Sequence, residues 1–124
     1  MVGQGESTMP DPVVHFEITG KDPGKLAAYY SSLFGWNVDA NNPMSDGLVD
    51  NGGAGINGGI GGGDRPLVTF YIAVDDPQRS LDEAIRLGGK LVTGVTTIPG
   101  MVTMAQFADP EGNVIGIVAN QPPA

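Results

Sequence analysis

The feature of this sequence that most limits its possible folds is an internal repeat. Residues 13–35, VVHFEITGKDPGKLAAYYSSLFG, align without a gap on residues 67–89, LVTFYIAVDDPQRSLDEAIRLGG. Each copy opens with apolar residues at alternate positions, which predicts a strand, and continues into an Asp-Pro pair, which predicts a helix start. A glycine closes each copy and is typical of a helix end. A gap-free match of this length predicts two structurally equivalent modules.

Three further strand-like segments follow each predicted helix. In the second copy they are KLVTGVTT, MVTMAQFAD and NVIGIVAN, and the DPEG between the last two has the Pro and Gly positions of a tight turn. In the first copy they are the weaker WNVDA, MSDGLVD and GGAGINGGI. The sequence therefore predicts an α+β protein of two βαβββ modules. Module one spans residues 12–62 and module two 66–120 of a single domain, 12–120, with a disordered tail at 1–11 and a short C-terminal tail at 121–124.

The period-two patterns assign faces to the strands that open the two modules. In the first strand the core face is predicted to hold Val14, Phe16 and Ile18. His15 and Glu17 then lie together on the opposite, polar face. In the second strand the core face is predicted to hold Val68, Phe70, Ile72 and Val74. Thr69 and Tyr71 share the face that corresponds to the one carrying His15.

Charge and composition exclude several classes of partner. Six basic and fourteen acidic residues give a net charge of −8, so a nucleic-acid backbone or an anionic membrane surface would be repelled. No apolar run approaches the roughly 20 residues that span a bilayer, and the first residues do not resemble a signal peptide. The absence of cysteine is compatible with the cytoplasm. We therefore expect a cytoplasmic protein with a neutral or cationic small-molecule ligand and no nucleic-acid or membrane partner.

Several motifs together resemble the vicinal oxygen chelate superfamily, the group of glyoxalases, bleomycin-resistance proteins and ring-cleaving dioxygenases. They are the His-x6-Asp-Pro opening, the pair Tyr29-Tyr30, LFGW and above all FADPEGNVIGIV. The resemblance covers about residues 12–119 and implies a half-open cup of eight strands with the helices outside. This superfamily hosts isomerases, epimerases, thiol transferases, dioxygenases and drug-binding proteins, so the resemblance alone selects no activity.

The resemblance also indicates where a metal would bind. Members that use a metal take one ligand from the first and one from the last strand of each module, usually His or Gln from the former and Glu from the latter. In this sequence those positions hold His15, Asn57, Thr69 and Gly116. Only His15 matches by residue type, whereas catalytic zinc usually has three strong protein ligands and hard cations prefer carboxylates. We therefore expect no metal and no other cofactor, with a divalent metal as the disfavoured alternative.

Two functions remain open for the polar face. The first is a metal-independent protein that binds a small organic molecule in an acidic cleft lined by His15, Glu17, Asn57, Thr69, Tyr71 and Gly116. The second is a lyase, isomerase or dioxygenase that uses His15 as a metal ligand or as an acid and base with Glu17. Residues two apart on a strand lie about 6–7 Å apart on one face, so this carboxylate can orient the imidazole. A structural or partner-binding module is the third possibility.

The glycine-rich stretch GGAGINGGIGGGDRP is not predicted to hold phosphate, because a strand and not a helix follows it. Ile56 and Ile60 are predicted to face the core, while Gly55 and Gly59 leave the opposite face bare. Trp36 is predicted to be a core or interface residue. Because an open sheet has free edges and single-domain members of the resembled superfamily commonly pair, we expect a homodimer, either side by side or with exchanged modules.

Overall fold

The computed structural model describes residues 10–39 and 47–121. The elements follow the predicted order: β1 Val13–Gly20, α1 Pro23–Phe34, β2 Asn37–Asp39, β3 Gly47–Asp50, β4 Asn57–Gly62, β5 Leu67–Val74, α2 Pro77–Arg86, β6 Lys90–Ile98, β7 Val102–Ala108 and β8 Val114–Ala119. The prediction of two βαβββ modules is confirmed. Most of each predicted tail, and the MSD that precedes β3, lie outside the described residues.

The eight strands form one mixed sheet in the order β2-β3-β4-β1-β5-β8-β7-β6. Within it β1 and β4 are parallel, whereas β2-β3-β4 and β6-β7-β8 are antiparallel neighbours. This strand order is open, with β2 and β6 at its ends, and the α+β class is confirmed. The described residues divide into an N-terminal unit, residues 14–39 and 47–71, and a C-terminal unit, residues 10–13 and 72–121.

The Asp-Pro pairs start both helices as predicted. The Asp22 side chain accepts a hydrogen bond from the backbone of Lys25 at 3.1 Å, and Asp76 does the same for Arg79 at 3.2 Å. Proline occupies the first turn of each helix, where its missing N–H costs nothing. The C-terminal ends of the two helices differ. Helix α1 is capped by Gly35, which has a left-handed φ of 72°, whereas α2 ends at Arg86.

Each unit has its own small core. In the N-terminal unit α1 packs against β2, β3 and β4, and Val49 and Ile60 are fully buried. In the C-terminal unit α2 packs against β6, β7 and β8, and the buried cluster contains Val74, Leu81, Ala105 and Ile117. Burial of Ile60 confirms one predicted core position, whereas Ile56 precedes β4 and is exposed.

The predicted core face of β5 is wrong over its first half. Val68 is 71% exposed and Phe70 39%, whereas Thr69, Tyr71 and Ala73 on the opposite face are buried. Alternation separates two faces of a strand but does not say which face another element covers. In the part of the chain that the structure describes, the helices pack mainly on β2–β4 and β6–β8, which leaves the Val68 side of β5 open.

The helices are short relative to a bilayer. Neither α1 nor α2 has the length and apolar character needed to cross a membrane, and no other helix occurs among residues 10–39 and 47–121.

Candidate functional site

The centre of the candidate site is a pair of side chains on β1. His15 and Glu17 point to the same face, and the imidazole Nε2 lies 2.8 Å from the Glu17 Oε1. Their side chains keep 33% and 18% of their surface exposed, so the pair is half-buried and still reachable. The approach of these two residues, predicted from their spacing, is thus present in the structure. We call the side of β1–β5 that carries the pair the His15 face.

Gly59 of β4 makes the space that the Glu17 carboxylate occupies. The two residues are opposite one another in the parallel β1–β4 pairing. A Cβ added at Gly59 would lie 2.9 Å from each Glu17 carboxylate oxygen, closer than such contacts allow. The expectation that this glycine leaves the face bare is therefore wrong, because the carboxylate of the neighbouring strand covers it. Gly55 lies in the turn before β4 and not in the strand.

Tyr71 of β5 orients the imidazole from the other side of β1. Its ring meets His15 edge to face, with centroids 5.7 Å apart and planes at 78°. Because Tyr71 is buried, its ring is a rigid packing surface for the imidazole of His15. Thr69, two residues earlier on the same face, is also buried, and its hydroxyl lies 3.4 Å from the Phe70 carbonyl oxygen. The structure therefore brings His15, Glu17, Tyr71 and Gly59 together.

Asn57 lies beside His15 but is engaged elsewhere. The two residues are register partners in the β1–β4 pairing. The Asn57 amide oxygen accepts a hydrogen bond from the backbone of Asn51 at 2.8 Å, and the Asn51 side chain donates in turn to the Ile56 carbonyl. These bonds brace the connection between β3 and β4. Asn57 thus has a structural task that the sequence did not indicate.

Gly116 belongs to the C-terminal unit, where it lies on β8 opposite Gln106 of β7. It has no side chain to contribute. The Gln106 amide oxygen accepts a hydrogen bond from the Thr93 hydroxyl at 3.1 Å. The sequence analysis did not single out Gln106. The available signal was alternation along β7, where Ala105 is buried in the core and the polar Gln106 points the other way.

The His15 face is acidic. Register places Glu17, Gly59, Leu48 and Asp39 in one row across β1, β4, β3 and β2, so all four point to the same side. Asp50, two residues beyond Leu48 on β3, points there too. The sequences of β1–β5 contain no lysine or arginine. An anionic group approaching this face would meet carboxylates with no basic side chain on these strands to offset them.

At three of the four positions that the superfamily resemblance assigns to metal ligands, the side chain is already bonded or is absent. His15 already directs Nε2 at Glu17, the Asn57 amide oxygen is bonded to the β3–β4 connection, and Gly116 has no side chain. Within residues 10–39 and 47–121, no group of three or more His, Cys, Asp or Glu side chains is arranged to hold a metal ion.

Comparison with known proteins matches nearly the whole described chain. The profile of the family described as "Glyoxalase-like domain" matches residues 15–118. A protein of Mycobacterium bovis named "Putative glyoxylase CFP32" is 30% identical over 107 residues, which cover 77% of this chain and 41% of the relative. Its namesake in Mycobacterium tuberculosis gives the same values. This chain thus spans about two fifths of the length of the curated relatives it matches.

Solved structures share the fold at low sequence identity. Methylmalonyl-CoA epimerase from Mycobacterium tuberculosis has a TM-score of 0.64 at 14% identity, over 98% of this chain and 94% of that one. A glyoxalase/bleomycin resistance protein/dioxygenase superfamily member from Vibrio splendidus has a TM-score of 0.59 at 18% identity, over 90% of this chain and 100% of that one. A 2,2',3-trihydroxybiphenyl 1,2-dioxygenase from Sphingomonas wittichii has a TM-score of 0.60 at 13% identity, over 94% of this chain and 43% of that one. Identities this low support the fold and not a shared reaction.

Proposed function

The chain belongs to the glyoxalase-like domain family of the vicinal oxygen chelate superfamily, and from that membership we propose that it binds a small organic molecule on its His15 face without a metal. The observation that carries the proposal is the placement of the Glu17 carboxylate. It lies over Gly59, is held by His15 at 2.8 Å and keeps 18% of its side-chain surface exposed. A half-buried, positioned carboxylate that remains reachable is a suitable acceptor for a ligand's hydrogen-bond donor.

The charge of the face selects the class of ligand. Glu17, Asp39 and Asp50 share this side of the sheet, and β1–β5 supply no basic side chain. A cationic or neutral donor gains from this field, whereas a phosphate or carboxylate would be repelled. Leu48, which is 37% exposed, adds apolar surface on the same side for an organic body. The ligand class is therefore a neutral or cationic organic molecule with a hydrogen-bond donor.

A thermal-shift experiment with matched variants tests this proposal. Small organic amines and their carboxylate counterparts would be added to the natural protein, to Glu17→Gln and to Glu111→Gln. Glu111 is an exposed residue of the β7–β8 turn, so its replacement removes the same charge away from the His15 face. We expect amines to raise the melting temperature of the natural protein and of Glu111→Gln but not of Glu17→Gln. Equal shifts in all three proteins, or a preference for carboxylates, would contradict the proposal.

Metal independence needs its own measurement, because it rests on the donor set alone. Metal analysis of protein purified without a chelator should give well under one divalent ion per chain. A stoichiometric, tightly held zinc, nickel, manganese or iron would overturn this part of the proposal.

The contact between His15 and Glu17 favours one second candidate, an enzyme that transfers a proton. A carboxylate that accepts from Nε2–H orients the ring and leaves Nδ1 with a lone pair, so the imidazole can remove a proton from carbon and return it. This would suit a lyase or isomerase of the superfamily. Carbonyl compounds with an acidic α-proton should then exchange it for deuterium with the natural protein and with Glu111→Gln, and not with His15→Gln. If none of the compounds tested exchanges, the binding function stands alone.

We also expect a cytoplasmic location, an expectation supported by the absence of cysteine from the sequence.

A further inference from the structure

The connection between β3 and β4 contains one Asn-Gly pair and leads directly into a second. They are Asn51-Gly52 and Asn57-Gly58, and each is followed by another glycine. Asparagine is thermally labile, most of all before glycine, which has no side chain to obstruct attack by its own backbone nitrogen. We propose that Asn51 is a site of spontaneous deamidation in the folded protein, whereas Asn57 is protected by its strand. The proposal does not depend on the function proposed for the His15 face.

Asn51 begins an exposed tight turn. The Ala54 N–H donates to the Asn51 carbonyl at 3.0 Å, and the two residues between them, Gly52 and Gly53, have φ of 61° and 85°. Positive φ at both central positions is typical of a type I′ turn, which glycine adopts without strain. Both glycines are exposed, and apart from its chain neighbours a Cβ added to either would meet nothing within 4 Å. Water can therefore reach the backbone next to the Asn51 side chain.

The hydrogen bonds of the turn place a proton acceptor next to the nitrogen that would react. Gly52 lies beyond the end of β3, and its N–H donates to the Asp50 Oδ1 at 2.8 Å. A carboxylate in this position can take the proton as the nitrogen attacks. The Asn51 side-chain amide donates to the Ile56 carbonyl, and this single bond is at an exposed site, where local opening is frequent.

The reaction needs only water as a co-reactant. The Gly52 nitrogen forms a bond to Cγ of Asn51 and gives its proton to the Asp50 carboxylate. The bond from Cγ to Nδ2 breaks, and the nitrogen leaves as ammonia after it receives that proton. Water then adds to either carbonyl of the succinimide ring and returns a hydrogen to the ring nitrogen. Opening at the side-chain carbonyl gives aspartate, and opening at the backbone carbonyl gives isoaspartate.

The second pair has the same sequence chemistry in a different setting. Asn57 is the first residue of β4, and the buried Gly58 pairs with Phe16 of β1 on one side and Val49 of β3 on the other. Attack by the Gly58 nitrogen would require rotation of a backbone that is paired with strands on both sides. The Asn57 side chain is also held, because its amide oxygen accepts from the Asn51 N–H at 2.8 Å. The strand therefore protects Asn57.

Deamidation of Asn51 would weaken the connection that it now braces. A carboxylate cannot donate to the Ile56 carbonyl, so the bond from the side-chain amide is replaced by repulsion between two oxygens. The product also carries one more negative charge beside Asp50. Isoaspartate in addition lengthens the backbone of the turn by one carbon atom. We therefore expect the deamidated protein to be less stable than the natural one.

Peptide mass spectrometry compares the two pairs within one protein. The natural protein would be incubated slightly above neutral pH in water enriched in oxygen-18, folded in one sample and unfolded by urea in another. Digestion in ordinary water follows, and the retained oxygen-18 identifies each asparagine that reacted. In the folded protein we expect Asn51 to react about 10-fold faster than Asn57 or more, and in urea at a similar rate. No reaction at Asn51, or equal rates at the two sites in the folded protein, would overturn the proposal.

A pair of variants tests the role of Asp50. Asp50→Ala removes the proton acceptor, and Asp64→Ala removes the same charge from an exposed position between β4 and β5. The rate at Asn51 in the folded protein, divided by its rate in urea, should fall several-fold in Asp50→Ala and stay unchanged in Asp64→Ala. Division by the rate in urea removes any effect of residue 50 on the unfolded sequence. The same ratio in both variants would contradict the role assigned to Asp50.

The structural consequence can be measured on a product of the reaction. Asn51→Asp is the aspartate product itself, and Gln121→Glu adds the same charge at an exposed position after β8. We expect a lower urea midpoint, or failure to fold, in Asn51→Asp only. Equal midpoints in the two variants and the natural protein would contradict the proposed weakening of the β3–β4 connection.

Discussion

Replacing Gly59 by alanine should separate the geometry of the candidate site from the stability of the fold. A Cβ at this position would lie 2.9 Å from both carboxylate oxygens of Glu17, so the carboxylate must move. It is the far end of a flexible side chain and can move at little cost. Its movement breaks the 2.8 Å contact with His15. Gly59→Ala should therefore disturb the pair while the sheet remains intact.

The expected change in stability is small because two effects oppose one another. Loss of the hydrogen bond between the His15 and Glu17 side chains costs about 0.5–1.5 kcal/mol. Gly59 does not adopt a left-handed φ, so alanine fits its backbone and restricts the unfolded chain, which gains about 0.4–1 kcal/mol. The free energy of unfolding should thus fall by no more than about 1 kcal/mol.

Gly58 provides the contrasting variant. A Cβ there would lie 2.4–2.5 Å from three atoms of the Phe16 ring, which packs against Trp36 and cannot swing freely into water. Gly58→Ala should therefore destabilise the protein by roughly 1–3 kcal/mol, as overpacking does. The two variants add the same methyl group to adjacent residues of β4 on its opposite faces.

The single histidine makes the assay specific. Imidazole signals in 15N NMR spectra come from His15 alone, since the chain has no other histidine. Gly59→Ala should shift these signals to the positions seen in Glu17→Gln, with urea unfolding close to that of the natural protein. Gly58→Ala should lower the urea midpoint and leave the contact between His15 and Glu17 in place. Unchanged imidazole signals in Gly59→Ala, or equal destabilisation by both variants, would refute the argument.

Four further outcomes are expected. Ile60→Ala, at a fully buried position, should lower the free energy of unfolding by about 2–5 kcal/mol in urea titrations. Hydrogen bonds from the side chain and then the backbone of Asn113 lower the pKa of Asp109, so its contribution to stability is present above the ordinary pKa of a carboxyl group and lost as pH falls through the lowered value. Asp109→Asn should accordingly lower the urea midpoint near pH 7. The difference between the urea midpoints at about pH 7 and about pH 3 should also be smaller in Asp109→Asn than in the natural protein. Melting curves with and without a strong chelator should coincide, whereas a fall of many degrees would indicate a structural metal. Ligand affinity, followed by thermal shift, should be lower for His15→Gln than for the natural protein, because the 2.8 Å contact between the imidazole and the Glu17 carboxylate is removed.

The sequence by itself determined the elements and their order. The two Asp-Pro pairs and the Gly35 stop are local signals, and each acts through backbone geometry within a few residues. An N-cap needs only its own side chain and the next turn, so its identity can be read without knowing the fold. The same holds for His15 and Glu17, because alternate residues of one strand must share a face.

The tertiary structure decided which surfaces are covered. Alternation separated Val68 and Phe70 from Thr69 and Tyr71 correctly, yet the pair predicted to be buried is the exposed one. A periodic pattern depends on the chain's own geometry, but burial depends on elements distant in sequence that pack against it.

The details of the site were likewise decided by neighbouring strands. The sequence placed Gly59 on the correct face but not under the Glu17 carboxylate, since that contact depends on the register of β1 against β4. The bond from Asn51 to Asn57 depends on how the β3–β4 connection closes. Residues 42 positions apart on β1 and β4 meet only because the two strands pair in parallel, and pairing between distant strands is a property of the folded chain rather than of any local stretch.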